Sequence, residues 1–233
     1  MKTIKTITLI LLITVANGCS SSKTLRFSKK ADDIVKTESL KDFLAKNKTP
    51  KVVLRVNNAS YTVTEDENID YLYNAIENQL LSSGFVVRDR QLFNQIIGNN
   101  DNSVDYEVLK NKSDTDLIIE LTKLDPKVLY TTNKYFNQKN DEKVEKQYEH
   151  KRYGASIEFK VILISTNEFA GIYKFNYTPC TDGCKIKKSI KELMKERKRK
   201  GKNEVKGYEG VEKDELELFI KDATKKLVAE MRE

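Results

Sequence analysis

The sequence predicts an α/β or α+β fold: a mixed β-sheet with amphipathic helices packed on it, in a two-layer or three-layer sandwich. Three observations point there. Strand-length apolar runs alternate with helical stripes between Lys51 and Leu121. Hairpin patterns follow between Lys127 and Tyr177, and an amphipathic helix closes the chain. Alternation first and hairpins later is the pattern of a mixed sheet with helices on its faces.

Taken in order, Lys2 and Lys5 open the chain and Ile7 to Ala16 is an apolar run too short to cross a bilayer as a helix. Small residues then lead to a cysteine in Ala16-Asn17-Gly18-Cys19, followed by Ser20-Ser21-Ser22. This reads as a secretory signal over residues 1–18. It resembles a bacterial lipoprotein signal, which implies that Cys19 becomes the N-terminus and takes the lipid. Ala16 and Gly18 also suit ordinary signal cleavage, which would leave Cys19 an unmodified thiol. Residues 19–38 are expected to be the lipidated cysteine and a flexible tether, because the Ser/Lys-rich stretch has little to bury.

One α/β domain is expected over residues 39–233. Ser39 is placed as the N-cap of a short helix carrying Leu40, Phe43 and Leu44. Val52 to Val56 reads as a strand. Ile69, Leu72, Tyr73, Ile76 and Leu80 form one helical stripe, ended by Ser83-Gly84. Phe85 to Val87 is a second strand, and Asp89 caps a helical stretch carrying Leu92, Phe93, Ile96 and Ile97. Asp116 to Leu121 is a third strand. Lys127 to Phe136 and Tyr153 to Ser165 are two more, joined by a charged excursion over 138–152. Thr166-Asn167-Glu168 turns into a partner strand, Phe169 to Tyr177. Ile186 to Lys198 reads as a basic helix within an insertion over 185–206. Leu216, Phe219, Ile220, Ala223 and Leu227 make the closing helix.

Three stretches resemble the family that includes the curli secretion-channel lipoprotein and the lipoprotein activator of a bifunctional penicillin-binding protein, to which the TolB N-terminal domain is related. They are Leu80 to Leu92, Asp114 to Ile119, and Ile157 to Ile172, where Asn167 takes the usual glycine's place in the turn. Asn tolerates the left-handed conformation, so the turn is kept. The resemblance implies an envelope scaffold or adaptor with no enzymatic activity and no cofactor. It docks on a periplasmic or outer-membrane partner assembly, or associates with copies of itself. The alternative is a subunit of a curli-type secretion channel. The stretch Lys127 to Ser165 argues against a pore, since its Lys/Glu-dense middle lacks a lipid-facing apolar face.

No catalytic or metal-ligating set stands out. His150 is the one histidine, within the charged excursion. The acidic pairs Asp32-Asp33, Asp141-Glu142 and Asp214-Glu215 read as solvated surface. An envelope hydrolase is the weakest alternative. Cys180 and Cys184, flanking the Asp182-Gly183 turn signal, read as a disulfide formed in an oxidising compartment. Free thiols or redox chemistry remain the alternatives, although the C-x-x-x-C spacing and context are not those of thioredoxin.

The net charge of +7 belongs to one stretch. Between Lys185 and Lys206, eleven Lys/Arg face three Glu, a net of +8. Lys187, Lys188, Lys191, Lys195, Arg197, Lys198, Arg199 and Lys200 are the candidates for binding an anionic partner: lipid headgroups, an acidic polymer or an acidic protein. A solvated insertion is the plainer reading. Export excludes nucleic acid as the natural partner. The expected location is the outer membrane, lipid-anchored and facing the periplasm.

Overall fold

Val52 and Leu54 are fully buried in one apolar cluster, whereas Val53 between them is fully buried in another. Successive strand residues point to opposite faces, so this strand is covered on both. The structure, a computed structural model, describes residues 23–56, 70–91, 93, 114–146, 148–186 and 210–233.

Along the chain lie β1 (Thr24–Leu25), β2 (Asp33–Lys36), α1 (Glu38–Lys46), β3 (Lys51–Val56), α2 (Asp70–Ser82), β4 (Val86–Val87) and β5 (Leu117–Thr132). There follow β6 (Lys134–Phe136), β7 (Glu142–Val144), β8 (His150–Leu163), a 3₁₀ turn at Ile164–Thr166, β9 (Glu168–Tyr177), β10 (Cys184–Lys185) and α3 (Lys213–Arg232). The fold is α+β, as the alternation of patterns predicts.

The chain forms two compact units. Among the described residues, the larger draws on 28–56, 70–91, 93, 114–130, 151–179 and 210–233, the smaller on 23–27, 131–146, 148–150 and 180–186. The smaller exists because short strands from three distant stretches pair with one another.

In the larger unit the sheet order is β2-β9-β8-β5-β3-β4. β3 is parallel to β4 and β5; β9 is antiparallel to β2 and β8. Leu40 and Leu44 of α1, Leu72, Ile76 and Leu80 of α2, and Ile220, Ala223 and Leu227 of α3 are buried on one face with Ile119, Ile157 and Phe159. On the other face Val53, Ile118, Ile162, Ile164 and Phe93 form the second cluster. All five residues of the predicted closing stripe are buried.

The exit from α2 is a Schellman motif. Gly84, at φ +86°, donates to Leu81 and Phe85 donates to Leu80, while Leu80 and Phe85 are both buried. Asn167 sits at φ +53°, so the asparagine does supply the left-handed residue of the β8–β9 turn.

Three expectations are corrected. The N-cap of α1 is Thr37; Ser39 lies inside the helix and its hydroxyl bonds Glu168 of β9. The third and fourth predicted strands are one, β5, which runs through Pro126. Only Leu117 to Leu121 pair with β3, so Pro126 needs no donor on that side. Residues 24–25 and 33–36 of the expected tether are strands.

In the smaller unit the order is β10-β1-β6-β7, with antiparallel neighbours. Leu25 is fully buried in it. The excursion over 138–152 thus contributes β7 and the start of β8.

Candidate functional site

The smaller unit gathers an unusual set of polar side chains around Lys23. Its Nζ lies 2.6 Å from Oε1 of Glu145 and 4.4 Å from the centre of the Tyr135 ring. The other oxygen of Glu145 is 2.8 Å from Nε2 of His150, and Tyr148 stands edge-on to the imidazole. His150 is only 4% exposed. The carboxylate of Glu145 bridges a cation and a buried imidazole, so each partner satisfies the other in a poorly hydrated place. Sequence reasoning missed this set, because His150 lies in a charged excursion whose pattern shows nothing to bury. The available signal was Glu145 five residues before it.

The predicted cysteine pair is joined here as well. Cys180 and Cys184 are bonded, with their Cα atoms 5.0 Å apart. Gly183, at φ +101°, donates to the carbonyl of Cys180 and closes the turn that Asp182-Gly183 predicts. A Cβ on Gly183 would come within 2.7 Å of the Thr24 methyl, so glycine also lets this turn lie on β1.

In the larger unit a cleft of ≈ 480 Å³ is lined by Glu77 and Leu81 of α2 and by Arg88, Asp89 and Arg90 beyond β4. Arg88 pairs with Asp114, which Lys51 also contacts. Hydrogen bonding from Lys51 holds the Asp114 carboxyl below the usual range. Arg90 stacks over Tyr73 at 4.5 Å and its Nε lies 3.8 Å from Glu77. One of its terminal nitrogens is buried with no partner. Burial pushes the Glu77 carboxyl up, only partly offset by Arg90.

Cys19 and the eight basic residues Lys187 to Lys200 lie outside the described residues. Of the acidic pairs, Asp32 accepts from the backbone of Asn176 and lies 3.8 Å from Lys226, so it ties β9 to the start of β2 and to α3. Among the described residues, no group of His, Cys, Asp and Glu is placed to hold a metal, and no helix is long and apolar enough to cross a membrane.

Neither a protein-family profile nor a curated protein matches this chain. Solved structures with a weak likeness include two PelC dodecamers from Paraburkholderia phytofirmans. One, a variant, has 10% identity and a TM-score of 0.41, covering 88% of this chain and 100% of that one. The other has 9% identity and a TM-score of 0.37, covering 87% and 98%.

Proposed function

We propose that this chain is a lipid-anchored protein of the bacterial cell envelope, a scaffold or adaptor that docks on a partner assembly and catalyses no reaction. The observation that carries the reading is the leader: a basic start, a short apolar run, and Ala16-Asn17-Gly18 directly before Cys19. The Cys180–Cys184 disulfide supports it, since such bonds persist in oxidising compartments. The polar groups described above support a structural role. Glu145, Asp32 and Asp114 each join separate stretches of chain.

The outer membrane is the proposed location, with the two units facing the periplasm. The partner is an envelope protein or further copies of the chain. Mass spectrometry of the membrane-fraction protein tests the anchor: an N-terminal Cys19 bearing acyl chains is expected, and Cys19→Ser should leave the leader uncleaved. Protein recovered from cytosolic extract with residues 1–18 attached would overturn the reading. Crosslinking in native cells then identifies the partner.

A further inference from the structure

The strand after the proposed lipid site has one face turned inward and one turned out. Register and alternation assign the faces. Thr24 is opposite Phe136 and Lys185, Phe136 is opposite Glu142, and Lys134 is opposite Val144. Arg26, two residues beyond Thr24, stacks over the Phe136 ring at 4.6 Å. One face therefore carries Arg26, Lys134, Phe136, Val144 and Lys185, with Glu142 as its acid. Arg26, Lys134, Val144 and Lys185 are exposed, and Phe136 is half-buried. Leu25, Tyr135 and Lys23 belong to the opposite face, where Leu25 is fully buried and Lys23 is held by Glu145.

The distance to the lipid is short. Lys23 is fixed on both sides: its carbonyl accepts from Ile186, and its ammonium is held by Glu145. Only Ser20, Ser21 and Ser22 separate it from Cys19. Four fully extended steps span at most about 14 Å. The leash thus keeps the start of this strand within about 14 Å of the acylated residue.

We propose that this outward face is a membrane-contact surface that rests on anionic phospholipid headgroups beside the acylated Cys19. The inference rests on the lipid-anchor reading. Three cations against one carboxylate favour an anionic surface. An aromatic ring with an arginine stacked on it, beside an exposed valine, suits the boundary between headgroups and acyl chains. The charge and the leash point to the same occupant. A protein partner on this face is the competing outcome.

The chain contains no tryptophan, so a single introduced one reports its surroundings without background. The lipidated full-length mature protein, carrying Phe136→Trp or Tyr135→Trp, is reconstituted in vesicles of phosphatidylcholine and phosphatidylglycerol containing acyl-brominated lipid. Neighbouring positions then sample opposite faces. Phe136→Trp should be blue-shifted and quenched several-fold more than Tyr135→Trp. Val144→Trp, a second reporter on the outward face, should behave like Phe136→Trp. Lys134→Glu with Lys185→Glu should reduce the quenching. Equal quenching on the two faces, or none, in an acylated chain that floats with the vesicles would overturn this inference and leave the anchor reading intact. A chain without acyl groups would remove both.

Discussion

Ile186 donates its backbone N–H to the carbonyl of Lys23 at 2.8 Å, extending the antiparallel pairing of β10 with β1 by one residue. The chain leaving β10 and the chain entering β1 therefore meet at one end of the sheet. What holds β10 there is two ladder pairs and the Cys180–Cys184 bond. Replacing both cysteines by serine should loosen β10. A five-residue loop contributes about 2 kcal/mol on the chain-entropy account. Denaturant unfolding of oxidised and reduced protein measures the difference, and hydrogen exchange at Leu25 and Ile186 should rise with reduction.

Glu145 is the residue on which the Lys23 network turns. Glu145→Ala would leave His150 buried without its acceptor and Lys23 with only the Tyr135 ring. The expected loss is about 1–3 kcal/mol. Unfolding curves supply that figure. Faster exchange confined to residues 23–25 and 134–136 would establish that Glu145 fixes β1, whereas uniform loss of protection would contradict it.

Much of the larger unit was legible because its signals are local. Leu72, Tyr73, Ile76 and Leu80 repeat within one helix, Gly84 marks its end, and Asn167 marks a turn between adjacent strands. The smaller unit was not legible for the opposite reason. β1 is two residues long, with one apolar side chain among Ser, Lys and Arg, and its partners come from residues 136 and 184–185. No periodicity reveals such pairing, so the stretch reads as a tether. His150 was hidden in the same way: its burial depends on Glu145 and Tyr148 folding back over it. Ser39 made a plausible cap, but its hydroxyl is taken by Glu168 from a distant strand.

Tyr173 offers a substitution that should not destabilise. Its side chain is fully buried, its hydroxyl has no hydrogen-bond partner, and burial raises its pKa well above that of a free tyrosine. A buried hydroxyl without a partner retains its desolvation cost. Tyr173→Phe keeps the ring and removes that cost, so stability should be unchanged or higher by about 1 kcal/mol. A clear loss in thermal unfolding would mean that the hydroxyl has an acceptor.

Gly84→Ala isolates a backbone effect. A Cβ there would meet only the Arg232 guanidinium, at 3.9 Å, so there is no steric clash. The cost comes from holding an L-residue at φ +86°, about 1–2 kcal/mol. Gly171→Ala should be worse, because its Cβ would fall 2.7 Å from the carbonyl oxygen of Val35 and 2.9 Å from the Tyr173 ring. Chemical denaturation of the two variants should rank them in that order.

Glu77 makes the fold's stability depend on pH in a defined direction. Burial raises its carboxyl above the ordinary value of 4.5, so between that value and its folded one the native state binds more protons than the unfolded chain. Stability then falls as pH rises through this window, because the charged form is the one that burial penalises. Glu77→Gln removes the titration but also the partner of Arg90, which lies 3.8 Å away. Because burial outweighs that pair, the variant should be no less stable than the parent above this window, and it should lack the decline that the parent shows just above pH 4.5. Subtracting the two stability curves across that window isolates Glu77. A difference that does not change with pH would mean that the Arg90 ion pair cancels desolvation, and one that changes in the opposite direction would mean that the pair outweighs it; either would overturn the balance assigned to this cleft.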